Sequence, residues 1–228
     1  MSNYVIPQPA QPSLPVQGTD ARFPVRRVYC IGRNYADHAI EMGHDPDKEP
    51  PFFFQKNGGN VDSSGEFPYP PFTNEVHFEV EMIVALKSGG ANISEADAMQ
   101  HVFGYGIGLD MTRRDLQSEM KKMGRPWEIG KAFERSAPMG PLVPAGVTGH
   151  LNSGAISLTV NGEERQKGDL NQMIWKVPEQ ITYLSQFYDI AAGDLIMSGT
   201  PAGVGPIKKG DVMECRIEGL DPLKVTVV

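Results

Sequence analysis

Residues 77–86 have the sequence HFEVEMIVAL, which alternates as a β-strand does over its whole length. One face is apolar and carries Phe78, Val80, Met82, Val84 and Leu86. The opposite face carries His77, Glu79, Glu81, Ile83 and Ala85. Because two apolar residues follow the carboxylates on this second face, we expect it not to be fully solvated.

Glu79 and Glu81 are two residues apart, so a strand places both carboxylates on one face. Two like charges held this close raise each other's pKa unless a cation lies between them. The pair is therefore a candidate metal site. A solvent-exposed strand face is the alternative, and for such a pair taken alone it is the more common arrangement.

Asp110 follows a glycine-rich segment, GYGIGL at 104–109, that is predicted to be a strand. An acidic residue at the end of a strand is often a ligand and as often the cap of the next helix. Together with Glu79 and Glu81 it would form a site made only of oxygen atoms. Such a site suits Mg²⁺ or Mn²⁺ rather than zinc.

The segments around this strand predict further short elements. Strands are expected at 27–31 and 52–56 and repeatedly after residue 140, and helices at 34–42, 94–99, 112–123 and 178–187. The predicted N-caps are Asn34, Ser94 and Thr112 (with Asp115 in a capping box), and the predicted stops are Gly43 and Gly124. This pattern is typical of a β-rich mixed α+β fold with a few short helices.

The first 25 residues contain Pro7, Pro9, Pro12 and Pro15 and few large apolar residues. They predict an extended N-terminal arm, either flexible or laid along a neighbouring surface. The segment 46–51 is predicted to be irregular because a proline stands at each end. No linker divides the remainder, so residues 26–228 are predicted to form a single domain.

His38 and Glu41 are three residues apart on a predicted helix. The carboxylate can then accept a hydrogen bond from the imidazole, which leaves the other ring nitrogen free to act as a general base. The alternative is a surface His–Glu pair without a task. We expect His44, His101 and His150 to be loop or surface residues, and His77 to lie behind the carboxylates or in the core.

Arg114 and Gln117 share one helix face by the same spacing, and Lys131 follows shortly after. A carboxylate or enolate substrate needs donors of this kind, although ordinary solvated charges are the alternative. Lys121 and Lys122 fit the second interpretation better. The glycine-rich segment 193–205 can approach a ligand closely, but it lacks both nucleotide-binding glycine orders.

The net charge of −7 argues against nucleic acid or an anionic membrane as the main partner, but not against a small anionic substrate. Cys30 and Cys215 lie far apart without a CxxC pair, so neither a disulfide framework nor a cysteine zinc site is expected. No signal sequence and no long apolar run is present. We therefore expect a cytoplasmic protein.

Several motifs occur together in an order that resembles the fumarylacetoacetate hydrolase family. They are GRNY at 32–35, HFEVE at 77–81, LDMTRRD at 109–115, GK at 130–131, GD at 193–194 and SGTPAGVG at 198–205. The resemblance covers about residues 26–228. It implies a β-rich roll with a pseudo-barrel, a homodimer and a bound Mg²⁺ or Mn²⁺.

The resemblance also implies a role for each candidate residue. Glu79, Glu81 and Asp110 would be metal ligands, and His38 and Glu41 would activate water on a lid over the substrate. Lys131 would stabilise the leaving enolate, and Arg114, Gln117 and Thr200 would bind or orient the substrate. The implied reaction is hydrolysis of the carbon–carbon bond of an acylpyruvate.

The segments GHDP at 43–46 and PFFFQK at 51–56 resemble the branch of this family that hydrolyses fumarylpyruvate in gentisate breakdown. The alternatives are decarboxylation of oxaloacetate and an isomerase or hydratase reaction on a related 2-oxo acid. A metal-bound structural or sensing protein without turnover is a further alternative from another class.

Overall fold

The structure, a computed structural model, describes residues 4–43 and 51–228. Its strands are β1 (Ser13–Pro15), β2 (Arg22–Pro24), β3 (Arg27–Gly32), β4 (Phe52–Asn57), β5 (Val61–Asp62), β6 (Glu66–Phe67), β7 (Val76–Phe78), β8 (Val80–Leu86), β9 (Val102–Leu109), β10 (Thr112–Arg113), β11 (Ala137–Pro138), β12 (Val143–Pro144), β13 (Ala155–Val160), β14 (Glu163–Asp169), β15 (Leu195–Met197), β16 (Gly205–Pro206), β17 (Val212–Ile217) and β18 (Leu223–Val227). The helices are α1 (Ala36–Glu41), α2 (Glu95–Ala98), α3 (Arg114–Lys122), α4 (Glu128–Lys131), α5 (Ala145–Thr148) and α6 (Val177–Phe187). The β-rich mixed α+β fold with short helices is thus confirmed. The predictions for residues 46–50 and for His44 lie outside the described residues.

Two larger sheets form the framework of the molecule. The six-stranded sheet has the order β12-β9-β8-β15-β3-β4, and the five-stranded sheet has the order β14-β13-β17-β18-β6. The main apolar core contains side chains from both sheets and from α6. The sheets therefore pack face to face around this core, and within the described chain neither closes into a barrel.

Strand β8 lies inside the six-stranded sheet and is buried on both faces. Val80, Met82, Val84 and Leu86 belong to the main core, as the alternation predicts. On the opposite face Ile83 and Ala85 pack in a second apolar cluster, which confirms that this face is not solvated.

The segment 77–86 differs from the prediction in one respect, because it is not one continuous strand. Strand β7 pairs with β10 and β16 in a three-stranded sheet, whereas β8 pairs with β9 and β15. The chain changes sheets at Glu79, whose carbonyl still accepts a 2.9 Å hydrogen bond from the amide of Asp110. Next to this change of sheet, the amide of Val80 donates a 3.0 Å hydrogen bond to the side-chain oxygen of Gln166.

The second half of the predicted N-terminal arm is ordered against the sheet. β1 and β2 form an antiparallel hairpin. Leu14 and Phe23 of this hairpin are buried in the second cluster, together with Cys30 of β3. The hairpin therefore covers the outer face of the six-stranded sheet. This agrees with an arm that is laid along a neighbouring surface, although the hairpin itself was not predicted. Cys30 and Cys215 are both free and buried.

Two helix starts differ from the prediction. Asn34 does not cap α1, because its side-chain oxygen, the acceptor that a cap would use, accepts a 2.7 Å hydrogen bond from the amide of Trp175. Its side-chain nitrogen donates to the carbonyls of Trp175 and Ser198 at 2.9 and 2.7 Å. Thr112 does not cap α3, because it lies in β10 and its hydroxyl donates to the carbonyl of Asp110 at 3.1 Å. Asn34 is thus held by partners far away along the chain, whereas Thr112 bonds a carbonyl only two residues before it.

The other helix signals are confirmed. Ser94 caps α2 by accepting a hydrogen bond from the amide of Asp97. The chain leaves α3 at Gly124, which has a φ of +63°. None of the helices in residues 4–43 and 51–228 has both the length and the apolar character needed to span a membrane.

Candidate active site

The pairing of β8 with β9 brings the three predicted carboxylates together. Glu81 lies opposite Gly108, and Asp110 lies just beyond the next paired position, beside Glu79. Glu79, Glu81 and Asp110 are all buried, and each offers an oxygen within 4.8 Å of the others. Two separate stretches of sequence thus form one acidic cluster.

Basic side chains surround two of these three carboxylates. Nζ of Lys131 donates to Oε2 of Glu79 and to Oδ2 of Asp110, at 2.8 Å in each case. Nη2 of Arg114 donates to Oε1 of Glu79. Burial opposes ionisation of Glu79, but the charges of Lys131 and Arg114 outweigh it and hold its pKa well below the ordinary value.

Glu81 is the carboxylate that this basic shell leaves without a cation among the described residues. The amide of Gly199 donates a 2.8 Å hydrogen bond to Oε2 of Glu81. Burial, Asp110 and Glu79 together raise the pKa of Glu81 well above the ordinary value. A hard divalent cation bound by the three carboxylates would favour the ionised form of Glu81 and offset the effect of burial and like charges. The donor set therefore fits Mg²⁺ or Mn²⁺.

Lys56 also belongs to this cluster, although no site role was predicted for it. Its Nζ lies 2.9 Å from Oδ1 of Asp110 and donates to the carbonyls of Met111 and Lys131. The side chain is fully buried. The unusual feature in the sequence is a lysine at the end of the apolar strand 52–56, but its partners are distant along the chain and spacing alone does not identify them.

His38 and Glu41 are paired on α1. Nδ1 of His38 lies 3.1 Å from Oε2 of Glu41, while the amide of Gly203 lies 3.2 and 3.3 Å from the two oxygens of that carboxylate. His38 is buried and lines the same cavity as the acidic cluster. His38 therefore faces the site, whereas Glu41 lies behind it and is exposed to solvent.

The glycine-rich loop contacts both halves of the site through its backbone. The amide of Gly199 binds Glu81, and the amide of Gly203 binds Glu41. Both glycines have positive φ values, +99° and +96°. A Cβ at Gly199 would lie 2.5 Å from Cβ of Asn34, so the close approach requires glycine.

The predicted substrate-binding residues lie on the walls of the same cavity. Nη1 of Arg114 donates to Oε1 of Gln117 at 2.6 Å, and Nε of Arg114 donates to Nδ1 of His77 at 3.3 Å. The hydroxyl of Thr200 accepts a 2.8 Å hydrogen bond from Gln166. His77 thus lies behind Arg114, and Gln166, which the sequence did not single out, fixes Thr200.

The cavity has a volume of about 440 Å³. Of the nine predicted site residues, all but Glu41 line it, and Glu41 lies directly behind His38. The remaining wall includes aromatic and basic side chains for which no site role was predicted: Arg33, Phe52, Phe54, Lys121, Lys122 and Trp127. Lys121 and Lys122 are exposed, yet they border the cavity, so the expectation of ordinary solvated charges was incomplete.

The sequence of residues 27–228 matches the family described as fumarylacetoacetate (FAA) hydrolase, C-terminal. The chain belongs to the fumarylacetoacetate hydrolase family. This match covers nearly all of the chain and confirms the resemblance that the separate motifs indicate.

Solved and curated members of the fumarylacetoacetate hydrolase family resemble the chain over almost its full length. A fumarylpyruvate hydrolase from Pseudomonas aeruginosa, solved with Mn²⁺ and pyruvate, is 52% identical, with a TM-score of 0.97 and 99% of each chain covered. An oxaloacetate tautomerase from Escherichia coli is 39% identical, covering 89% of this chain and 93% of that protein. A mitochondrial oxaloacetate decarboxylase from Dictyostelium discoideum is also 39% identical, covering 86% and 90%. All three names refer to small 2-oxo acids.

Proposed function

We propose that this chain is an acylpyruvase that hydrolyses fumarylpyruvate to fumarate and pyruvate with the help of Mg²⁺ or Mn²⁺. The observation that carries the proposal is the arrangement of the His38–Glu41 pair and the three buried carboxylates around one cavity. The similarity to the fumarylpyruvate hydrolase that was solved with Mn²⁺ and pyruvate supports the choice of substrate.

Glu79, Glu81 and Asp110 would hold the metal. When bound, it would supply positive charge for the 2-oxo-carboxylate end of the substrate and for the developing enolate. Arg114 and Lys131 already neutralise the charge of Glu79. The cation would therefore stabilise the ionised form of Glu81 most, since this carboxylate is bound by the amide of Gly199.

His38 would act as the general base. Its Nδ1 donates to Glu41, so Nε2 is free to take a proton from water. The oxygen of this water forms a bond to the acyl carbonyl carbon, and the bond between that carbon and the pyruvyl methylene breaks. The electron pair stays on the pyruvate fragment as an enolate, which takes up a proton to give pyruvate, and the acyl fragment leaves as fumarate.

Lys131 would stabilise the enolate. Burial alone would lower the pKa of this lysine, but Asp110 and Glu79 outweigh burial and raise it, so the side chain stays charged. A fixed charge in a cavity largely shielded from water is the kind of group that stabilises a developing anion. Arg114, Gln117 and Thr200 would orient the 2-oxo acid.

A second candidate function is an oxaloacetate reaction, because the 39% identical relatives are a tautomerase and a decarboxylase of that compound. Both reactions need an enolate but no attacking water. The His38–Glu41 pair supports the hydrolytic reaction over these two.

The proposal also includes a homodimer, a cytoplasmic location and a role in aromatic breakdown through gentisate. The exposed side chains of Tyr4, Val5 and Ile6 support a subunit contact near the N-terminal segment. Analytical ultracentrifugation tests the dimer, because a single species of the mass of one chain would contradict it.

The experiment that tests the proposed function is pyruvate release from fumarylpyruvate, measured beside oxaloacetate, with Mn²⁺ and again after EDTA. We expect EDTA-sensitive release from fumarylpyruvate with fumarate as co-product. If oxaloacetate alone reacted, the second candidate would replace the first.

A further inference from the structure

Helix α3 runs along the cavity from the acidic cluster to the mouth. The residues that it contributes to the wall are Arg114, Gln117, Ser118, Lys121 and Lys122. Their spacing corresponds to one face of a helix. Arg114 at the start is buried and contacts Glu79, whereas Lys122 at the end is exposed.

Helix α3 therefore extends from the buried end of the cavity to its exposed end. At about 1.5 Å per residue, the backbone of Lys122 lies ~12 Å beyond that of Arg114 and ~7.5 Å beyond that of Gln117. The acidic residues among the described lining are Glu79, Glu81 and Asp110, all at the buried end. The described lining of the mouth thus presents basic side chains although the whole chain carries a net charge of −7.

We propose that the last turn of α3, Lys122 together with Lys121, binds the distal carboxylate of a dicarboxylic acylpyruvate. This inference rests on the proposed function, since it assumes that the 2-oxo-carboxylate end lies at the acidic cluster. It adds a specificity subsite at the opposite end of the cavity.

The length of the substrate agrees with this geometry. Six carbon–carbon bonds of about 1.5 Å separate the two carboxyl carbons of fumarylpyruvate, so the extended molecule is ~8 Å long between them. A flexible lysine side chain bridges the remaining distance. Oxaloacetate has half as many bonds between its carboxyl carbons and does not reach the mouth from the acidic cluster.

The aromatic wall supports an extended, conjugated acyl chain. Phe52 and Trp127 meet edge to face with ring centroids 5.5 Å apart, and both line the cavity. Phe54 packs against the same Trp127 at 5.9 Å. A planar fumaryl group between the acidic cluster and Lys122 would pack on these rings.

The test compares two substrates that differ at the distal end, fumarylpyruvate and acetylpyruvate, in the wild-type chain and in Lys122→Met, with Mn²⁺ present. Acetylpyruvate keeps the bond that is cleaved but lacks the distal carboxylate. We expect the ratio of kcat/KM on fumarylpyruvate to kcat/KM on acetylpyruvate to fall about fivefold in Lys122→Met, as suits an exposed ion pair. The change should appear mainly in KM, should increase in the Lys121→Met/Lys122→Met double variant and should shrink at high salt.

Lys87→Met is the matched control, because Lys87 is exposed and lies outside the cavity lining. A substrate ratio that is unchanged in Lys122→Met and in the double variant would overturn the subsite. An equal loss on both substrates would also overturn it, since the lysines would then act on the whole site. If the wild-type chain cleaved neither acylpyruvate, the proposed function itself would fail, which is a separate outcome.

Discussion

Nζ of Lys56 lies 2.9 Å from Oδ1 of Asp110, and both side chains are buried. The same ammonium group donates to the carbonyls of Met111 and Lys131. Lys56 therefore connects β4 to a candidate metal ligand and to the backbone of the candidate enolate-stabilising lysine. It contacts no cavity surface itself, so we regard it as a positioning residue.

Replacing Lys56 with Met should destabilise the protein strongly. The change leaves the Asp110 carboxylate with one of its two lysines and takes one donor from each of the carbonyls of Met111 and Lys131. The carbonyl of Lys131 keeps the hydroxyl of Ser136 as a donor. Loss of one partner of a buried ion pair costs about 3–5 kcal/mol. Urea unfolding measures the free energy, and Mn²⁺ should restore part of it in the variant. A loss no larger than that of Lys87→Met, an exposed control, would show that Lys56 does not hold this cluster together.

Replacing His38 with Ala should remove hydrolysis but not metal binding. The predicted general base contributes about 10²–10⁴-fold to such a step, so kcat on fumarylpyruvate should fall in that range. Mn²⁺ binding, measured by electron paramagnetic resonance, should stay close to wild type because the candidate metal ligands are three carboxylates and do not include His38. His101→Ala is the control, since His101 bonds Ser88 outside the site. Wild-type turnover in His38→Ala would remove the dyad from the mechanism.

Replacing Gly199 with Ala should destabilise the loop that joins the two halves of the site. Gly199 has a φ of +99°, and the added Cβ would lie 2.5 Å from Cβ of Asn34. A side chain in such a conformation costs more than about 1 kcal/mol. Gly146→Ala has open space at its Cβ and should be nearly neutral in the same thermal unfolding experiment. Equal melting temperatures for the two variants would contradict the steric argument.

Asp115 should make stability depend on pH at the acidic end. Burial pushes its pKa upward, but hydrogen bonds from Thr73 and from the amides of Asn74 and Leu116 outweigh burial and lower it. The stabilisation is therefore complete above the ordinary carboxyl pKa of about 4, and it is lost as pH falls through the lower value of the folded state.

The difference in unfolding free energy between the wild-type chain and Asp115→Asn should thus be largest near neutral pH and shrink below about pH 4. Urea unfolding at a series of pH values measures this difference. If the difference grew on acidification, the direction of the pKa shift would be wrong.

Local periodicity predicted a large part of the fold and of the candidate site. The period of two in 77–86 identifies both faces of β8, because alternation holds wherever a strand is buried. The spacing of two places Glu79 and Glu81 on one face of a strand, and the spacing of three places His38 and Glu41 on one face of a helix. These spacings do not reveal that the pairs share a cavity. That expectation came from the family resemblance, since sequence distance does not fix tertiary distance.

Three of the missed features depend on long-range partners. Asn34 has a good capping side chain, but its oxygen accepts a hydrogen bond from the amide of Trp175 instead. Lys56 meets Asp110 across the site, although β4 and β9 are not neighbouring strands of the six-stranded sheet. The change of sheet at Glu79 likewise depends on β10 and β16, which the alternation of 77–86 does not describe.

In the proposed reaction the chain adds water across the carbon–carbon bond of fumarylpyruvate. Mass spectrometry of the products formed by the Mn²⁺-loaded chain in H₂¹⁸O detects this water. We expect fumarate that carries one ¹⁸O atom in its newly formed carboxylate, in amounts equal to the pyruvate released. Fumarate without the label, or intact fumarylpyruvate under conditions in which oxaloacetate reacts, would show that the chain is not a fumarylpyruvate hydrolase.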